Sequence, residues 1–122
     1  MTAPFHRIYR ALIHSCHGLR ATWISEPAFR LDVWIVAVAV GIALLVPVTP
    51  GERALLILAA FLILGAELVN TAIESTINRI GPEIHPLSKK AKDIGSAVVF
   101  VSFFQALVVW VIVLWPRVSA WI

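Results

Sequence analysis

Long apolar runs alternate with short polar breaks along this chain, and the apolar positions recur on a helical period. Over 4–24, Phe5, Ile8, Tyr9, Leu12, Ile13, Cys16, Leu19 and Trp23 follow helical spacing, while His6, Arg7, Arg10, His14, His17 and Arg20 fill the other face. This predicts an amphipathic helix lying in a membrane interface, opened by Pro4. Ser25, Glu26 and Pro27 then punctuate the chain, and Ser25 is expected to cap a new helix with Glu26 and Pro27 in its first turn. Apolar residues over 31–48 form a first span, which gains comfortable bilayer length when extended back to 27. A tight turn over 47–51 leads to a second span, 52–80, longer than the hydrocarbon core needs and ended by Gly81 and Pro82. Residues 83–92 form a polar loop and 93–115 a third span. Trp110, Trp115 and Trp121 near its far end fit an interfacial aromatic belt.

Composition turns these runs into a class. The chain has 122 residues, 60% of them hydrophobic and 14% charged. A soluble domain of this size cannot hide so much apolar surface. The expected fold is therefore an all-α membrane protein, one domain of three transmembrane helices plus an N-terminal interfacial helix. The net charge is +3, and its distribution sets orientation. Arg7, Arg10, Arg20 and Arg30 precede or open the first apolar run, and Arg79, Lys89, Lys90 and Lys92 lie between the second and third. Arg53 and Arg117 fall on the other side. Cationic loops stay cytoplasmic, so the N-terminus is expected inside and the C-terminus outside. Nucleic-acid binding is a poor reading of these charges, because no soluble module carries them. Cys16 is alone, so no intrachain disulfide forms. The polar N-terminus lacks the pattern of a cleavable signal peptide.

The second span carries the chemistry. Glu67, Asn70 and Glu74 stand at offsets of three and seven, on one helix face. An ionisable group at membrane depth costs roughly 2.5–3.5 kcal/mol, so such groups pair, face a bundle interior or do chemistry. Glu26 begins the first span on the same side, and Lys92, Asp93, Gly95 and Ser96 begin the third. Magnesium takes a few carboxylates plus phosphate oxygens and water, which Glu26 and Glu74 supply with Asp93 in support. Lys92 suits phosphate charge, and Glu67 suits a base that accepts a hydroxyl proton, with Asn70 holding it in position. Neither G-x-x-x-x-G-K nor G-x-G-x-x-G occurs. Spacing alone leaves three readings open: metal-assisted phosphoryl transfer, an ion or proton pathway, and a structural polar network between helices. Ser102 and Gln105 are expected to bond across helices, and Gly65, Ala66 and Ala72 to permit close packing.

These same residues carry a resemblance. Glu67, Asn70, Ala72 and Glu74 spell E-x-x-N-x-A-x-E, and Ala91-Lys92-Asp93-Ile94-Gly95-Ser96-Ala97 follows. With Gly18-Leu19-Arg20-Ala21, Trp23, Glu26 and Ala28-Phe29-Arg30, the chain closely resembles the prokaryotic diacylglycerol kinase family over nearly its whole length. The resemblance implies a homotrimer with active sites shared between neighbouring chains, in the bacterial cytoplasmic (inner) membrane. It implies transfer of the γ-phosphoryl of MgATP to the primary hydroxyl of diacylglycerol, giving phosphatidic acid. Glu67 is then the general base, supported by Asn70, and Glu26 and Glu74 hold the metal with the ATP phosphates. Lys92, Asp93, Glu83, His85, Arg7 and His14 match positions that contact ATP. Arg20, Ala21, Thr22, Trp23, Ala28, Phe29, Arg30, Leu31, Asp32 and Ser96 match positions near the lipid, with Glu67 at its hydroxyl. Trp110 and Trp115 match positions beside the acyl chains. Asn78 stands where the family commonly has an acid, Asp32 where a longer acid is usual, and His14 where an aromatic is usual. An undecaprenol kinase is the alternative on this scaffold. An ion-conducting or proton-relay oligomer is the alternative of another class.

Overall fold

Prolines set the starts of the three apolar helices. Pro27, Pro50 and Pro86 each stand in a first helical turn. There the missing N–H is no loss and φ is already helical. In the computed structural model, which describes residues 3–122, the elements are α1 (Ala3–Ser25), α2 (Pro27–Leu45), α3 (Pro50–Ile80) and α4 (Pro86–Ser119). Among the described residues there is no strand. Helices α2, α3 and α4 are each long and apolar enough to cross a membrane. The all-helical fold with three such helices and one N-terminal helix agrees with the sequence pattern.

The joint between α1 and α2 differs from expectation. Helix α1 runs through Ser25, so Ser25 caps nothing. The N-cap of α2 is Glu26, extended at φ −114° and ψ 101°, with no side-chain cap bond. Two effects explain the shift. A proline disfavours helical geometry in the residue before it, which places the break at Glu26. Arg30 Nη1 donates to the carbonyls of Trp23 (2.6 Å) and Ile24 (3.1 Å), satisfying the last turn of α1. By contrast, α3 opens on a full capping box. The Thr49 hydroxyl accepts from the Glu52 N–H (3.2 Å), and the Glu52 carboxylate accepts from the Thr49 N–H (3.4 Å).

Helix α3 is the spine. It packs against both α2 and α4, most extensively against α4. One core layer joins Val36, Ala59, Ala60, Ile63 and Ala106; the next joins Ala43, Val48, Leu56 and Val113. Alanines at these contacts let the backbones approach, which matters where lipid removes most of the hydrophobic drive between helices. Polar groups then bond across the helices. Gln105 Nε2 donates to Ala59 O at 2.8 Å, and Trp110 Nε1 to Leu56 O at 3.2 Å. Ser102 instead donates to Val99 O of its own helix (2.6 Å). Ala66 is buried, but Gly65 and Ala72 are exposed, and Gly65 faces open space. They lie off the face through which α3 meets its neighbours in this chain. The outward faces of the spans remain apolar, with Leu45, Phe100 and Ile112 exposed, as lipid contact requires.

One end of the bundle is pinned by arginines. Arg117 grips Glu52 with two N–H···O bonds of 2.7 and 3.0 Å and also donates to Pro47 O. Arg53 donates to Ala43 O at 2.6 Å. Replacing Arg117 with Ala removes the bidentate pair and a bond to the α2–α3 turn at once. The expected result is a lower thermal unfolding temperature in detergent with kcat unchanged, because Glu67 and Glu74 lie towards the opposite end of α3. Loss of kcat at unchanged stability would contradict this division.

Candidate active site

The spacing of α3 builds the centre of the site. Glu67, Asn70 and Glu74 share one face; Glu67 and Asn70 are buried, 7% and 9% exposed, and Glu74 is half-buried. Three further carboxylates act on the charge of Glu67: Asp32 of α2, Glu74, and Glu26 at the α1–α2 joint. Asp32 is buried at 6% exposure, although its sequence position suggested only a lipid contact. Among the described residues, none of these four acids has a cationic partner within ion-pair distance. Like charges gathered in a low-dielectric setting repel strongly and favour an added cation.

Asn70 occupies the middle of this face. Its Nδ2 donates to Glu74 Oε1 at 3.5 Å rather than to Glu67. Its Oδ1 is buried and has no hydrogen-bond partner. A buried acceptor left without a donor is uncommon and marks a place where another group is to bind or move. Above it, Gly95 of α4 is buried directly against the Asn70 side chain.

The α3–α4 loop adds a second compartment. A cavity of about 310 Å³ is lined by Asn78, Gly81, Glu83, His85, Lys89, Lys92 and Asp93, among others. Glu83 folds back so that its carboxylate lies over Gly81. His85 caps α4, its Nδ1 accepting from the Leu87 N–H at 3.1 Å, which leaves Nε2 for other partners. Lys92 Nζ donates to Asn78 Oδ1 at 2.9 Å. Lys89 pairs with Asp93 at 2.6 Å, one turn along an exposed helix face. Four expected nucleotide residues, Glu83, His85, Lys92 and Asp93, thus line one cavity. Lys89, read from the sequence as a topology charge that also attracts nucleotide, and Asn78, which stands where the family commonly has an acid, line the same cavity.

Other expected residues lie apart. Arg7 and His14 are exposed on α1 and do not line the loop cavity. Arg7 stands nineteen positions before Glu26 along α1, about 28 Å. Thr22 is buried with its hydroxyl bonded to Gly18 O (2.8 Å), and Phe29 is 3% exposed, so both face inward. Arg20, Ala21, Trp23, Ala28, Leu31 and Ser96 are exposed, and Arg30 is half-buried. A cavity of about 310 Å³ between α1 and α3 is lined by Ala21, Thr22, Leu68 and Thr71, among others. Trp110 bonds to Leu56, eleven residues before Glu67, or about 16 Å away along α3. Trp110 and Trp115 therefore flank the bundle far from the acids.

The profile of the prokaryotic diacylglycerol kinase family matches residues 13–114. The chain belongs to this family. It is 45% identical over 116 residues to the diacylglycerol kinase of Escherichia coli K12, covering 95% of each chain. It is 44% identical over 108 residues to that of Pseudomonas aeruginosa, covering 88% of each. The diacylglycerol kinase of Haemophilus influenzae is 35% identical over 97 residues, 80% of this chain and 82% of that one. Membership in a kinase family makes the protein an enzyme, and it orders the three readings that spacing left open.

The donor set also bears on a metal. Among the described residues, no three His, Cys, Asp or Glu side chains gather closely enough to hold a cation. Magnesium binds through one or two carboxylates plus substrate phosphates and water. Glu26 and Glu74, both half-buried beside Glu67, are carboxylates of that kind.

Proposed function

We propose that this protein phosphorylates diacylglycerol at the cytoplasmic face of the bacterial inner membrane, using ATP and giving phosphatidic acid. The observation that carries the reading is the buried acid face around Glu67, without cationic partners among the described residues, on the helix that leads into a loop cavity carrying Lys89 and Lys92 with Glu83 and Asp93, in a member of a diacylglycerol kinase family.

Glu67 accepts the proton of the primary hydroxyl as that oxygen attacks the γ-phosphorus. The bond from the γ-phosphorus to the β–γ bridging oxygen breaks, and ADP leaves. Lys92, aided by Lys89, faces the phosphate charge, and Asp93, Glu83 and His85 position the nucleotide in the loop cavity. Glu26 and Glu74 would hold magnesium together with the ATP phosphates, and the ion would supply neutralisation of the charge on the transferring group. Asn70 keeps the acid face in register. Arg20, Trp23, Ala28, Arg30, Leu31 and Ser96 border the lipid headgroup, with acyl chains running toward Trp110 and Trp115. Catalysis of this kind is mostly positioning and charge stabilisation.

A homotrimer completes the site. Arg7 and His14 do not line the loop cavity of their own chain, and a neighbouring copy brings them to its nucleotide. The orientation follows the cationic residues, with the N-terminus and the α3–α4 loop inside and the C-terminus outside.

The test is phosphoryl transfer from labelled ATP by purified protein in mixed micelles, with diacylglycerol and undecaprenol offered separately. Labelled phosphatidic acid with little polyprenyl phosphate is expected. The reverse preference would keep the mechanism and change the substrate. No labelled lipid from folded, trimeric protein would overturn the kinase reading in favour of an ion or proton pathway.

A further inference from the structure

Gly95 lies where α4 crosses the acid face of α3. It is buried, and its own backbone is ordinary helix. Glycine in a helix interior lowers helix stability relative to alanine, so its presence there calls for a local reason. The reason is contact. A Cβ built on Gly95 would collide with Asn70 Oδ1, and would sit 3.6 Å from Ile73 Cδ1, an ordinary contact. Exchanging the oxygen and nitrogen of the amide leaves a heavy atom in the same place, so the crowding does not depend on that assignment.

We infer that Gly95 is a positioning residue for phosphoryl transfer, acting through Asn70. The colliding atom is the far end of a side chain, not backbone. The cheap response to an added methyl is therefore rotation of Asn70, with the helices left in place. Rotation removes the bond from Asn70 Nδ2 to Glu74 and moves the unpartnered Oδ1 from its buried seat against Gly95. Those two acids have separate tasks, proton acceptance and metal binding. Asn70 shares their helix face and bonds to Glu74, so its position bears on the second task directly. The absence of a side chain at Gly95 thus fixes where that amide sits. The same crossing sets Lys92, one turn earlier on α4, beside Asn78 of α3.

This inference rests on the kinase reading for its activity readout, and on an independent spectroscopic one. Asn70 and Asn78 are the two asparagines of the chain. Asparagine-selective nitrogen-15 labelling therefore gives two side-chain amides, with Asn78 as internal reference. Gly95→Ala is expected to shift the Asn70 side-chain amide and leave that of Asn78. It should lower kcat roughly 10–100-fold, the effect of a small misplacement near reacting groups. The thermal unfolding temperature should not fall, because alanine favours the helix. In an Asn70→Ala background, Gly95→Ala should change kcat less than about twofold, since residues acting as one unit are not additive.

Three results would overturn the inference. One is an unmoved Asn70 amide with kcat intact in Gly95→Ala. Another is a further large loss in the Asn70→Ala background. The third is a fall in unfolding temperature with both amides shifted, the mark of general disruption of α3 and α4. If the parent protein transfers no phosphoryl group, the kinase reading fails, and an Asn70 amide that stays in place in Gly95→Ala still overturns the contact.

Discussion

Glu67→Gln is expected to abolish nearly all turnover while leaving the protein folded. Glutamine matches glutamate in shape but cannot accept the proton of an attacking hydroxyl. General-base removal of this kind costs about 10²–10⁴-fold in rate. The side chain is 7% exposed, so a shape change here would disturb packing, whereas the amide retains the volume. The substitution also removes one of four acids that repel each other around this point, Asp32, Glu74 and Glu26 being the others. Stability should therefore hold or rise, and the KM for MgATP should change little, since Glu67 is not assigned to the nucleotide. The measurements are kcat and KM in mixed micelles, with thermal unfolding as control. Turnover within tenfold of the parent would remove Glu67 from the base role, whatever becomes of the family assignment. The burial of Asp32 next to it offers the obvious replacement as base.

The architecture was largely legible because membrane helices announce themselves through length and apolarity. Pro27 marks the start of α2 directly, whereas much of the loop expected over 83–92 is already helix from Pro86. The acid face was legible too, since offsets of three and four within one helix need no tertiary information. What crosses between helices was not. Asp32 reads from the sequence as an isolated acid near a headgroup, and only the packing of α2 on α3 puts it beside Glu67. Gly95 reads as one letter of a motif, and its purpose emerges only where it meets Asn70. The Ser25 cap failed for a similar reason. Arg30 reaches back six and seven positions to satisfy the end of α1, an interaction that local capping rules do not contain. Small residues misled in the other direction. Gly65 suggested close packing but faces open space in the single chain, where only Ala66 of that pair is buried.

Glu74→Gln should fail differently from Glu67→Gln, and the contrast is the sharper test of the site. Glu74 is half-buried seven residues along the same face, and its Oε1 accepts from Asn70 Nδ2 at 3.5 Å. Glutamine keeps an oxygen for that bond but loses the charge that a hard divalent cation requires. Substitutions in the outer partners of metal ligands already cost 10–100-fold in metal affinity or activity. A direct ligand should cost at least about that in the KM for MgATP and in the magnesium concentration giving half-maximal rate. Excess magnesium should then restore part of the rate in Glu74→Gln and none in Glu67→Gln. This follows because mass action refills a weakened site, whereas no concentration of cation supplies a missing base. Unchanged magnesium dependence in Glu74→Gln would remove it as a ligand and leave Glu26 and Asp93 as the acids to test. Equal rescue of both variants would mean that the acid face acts as one pooled negative charge, without separate base and metal ligand.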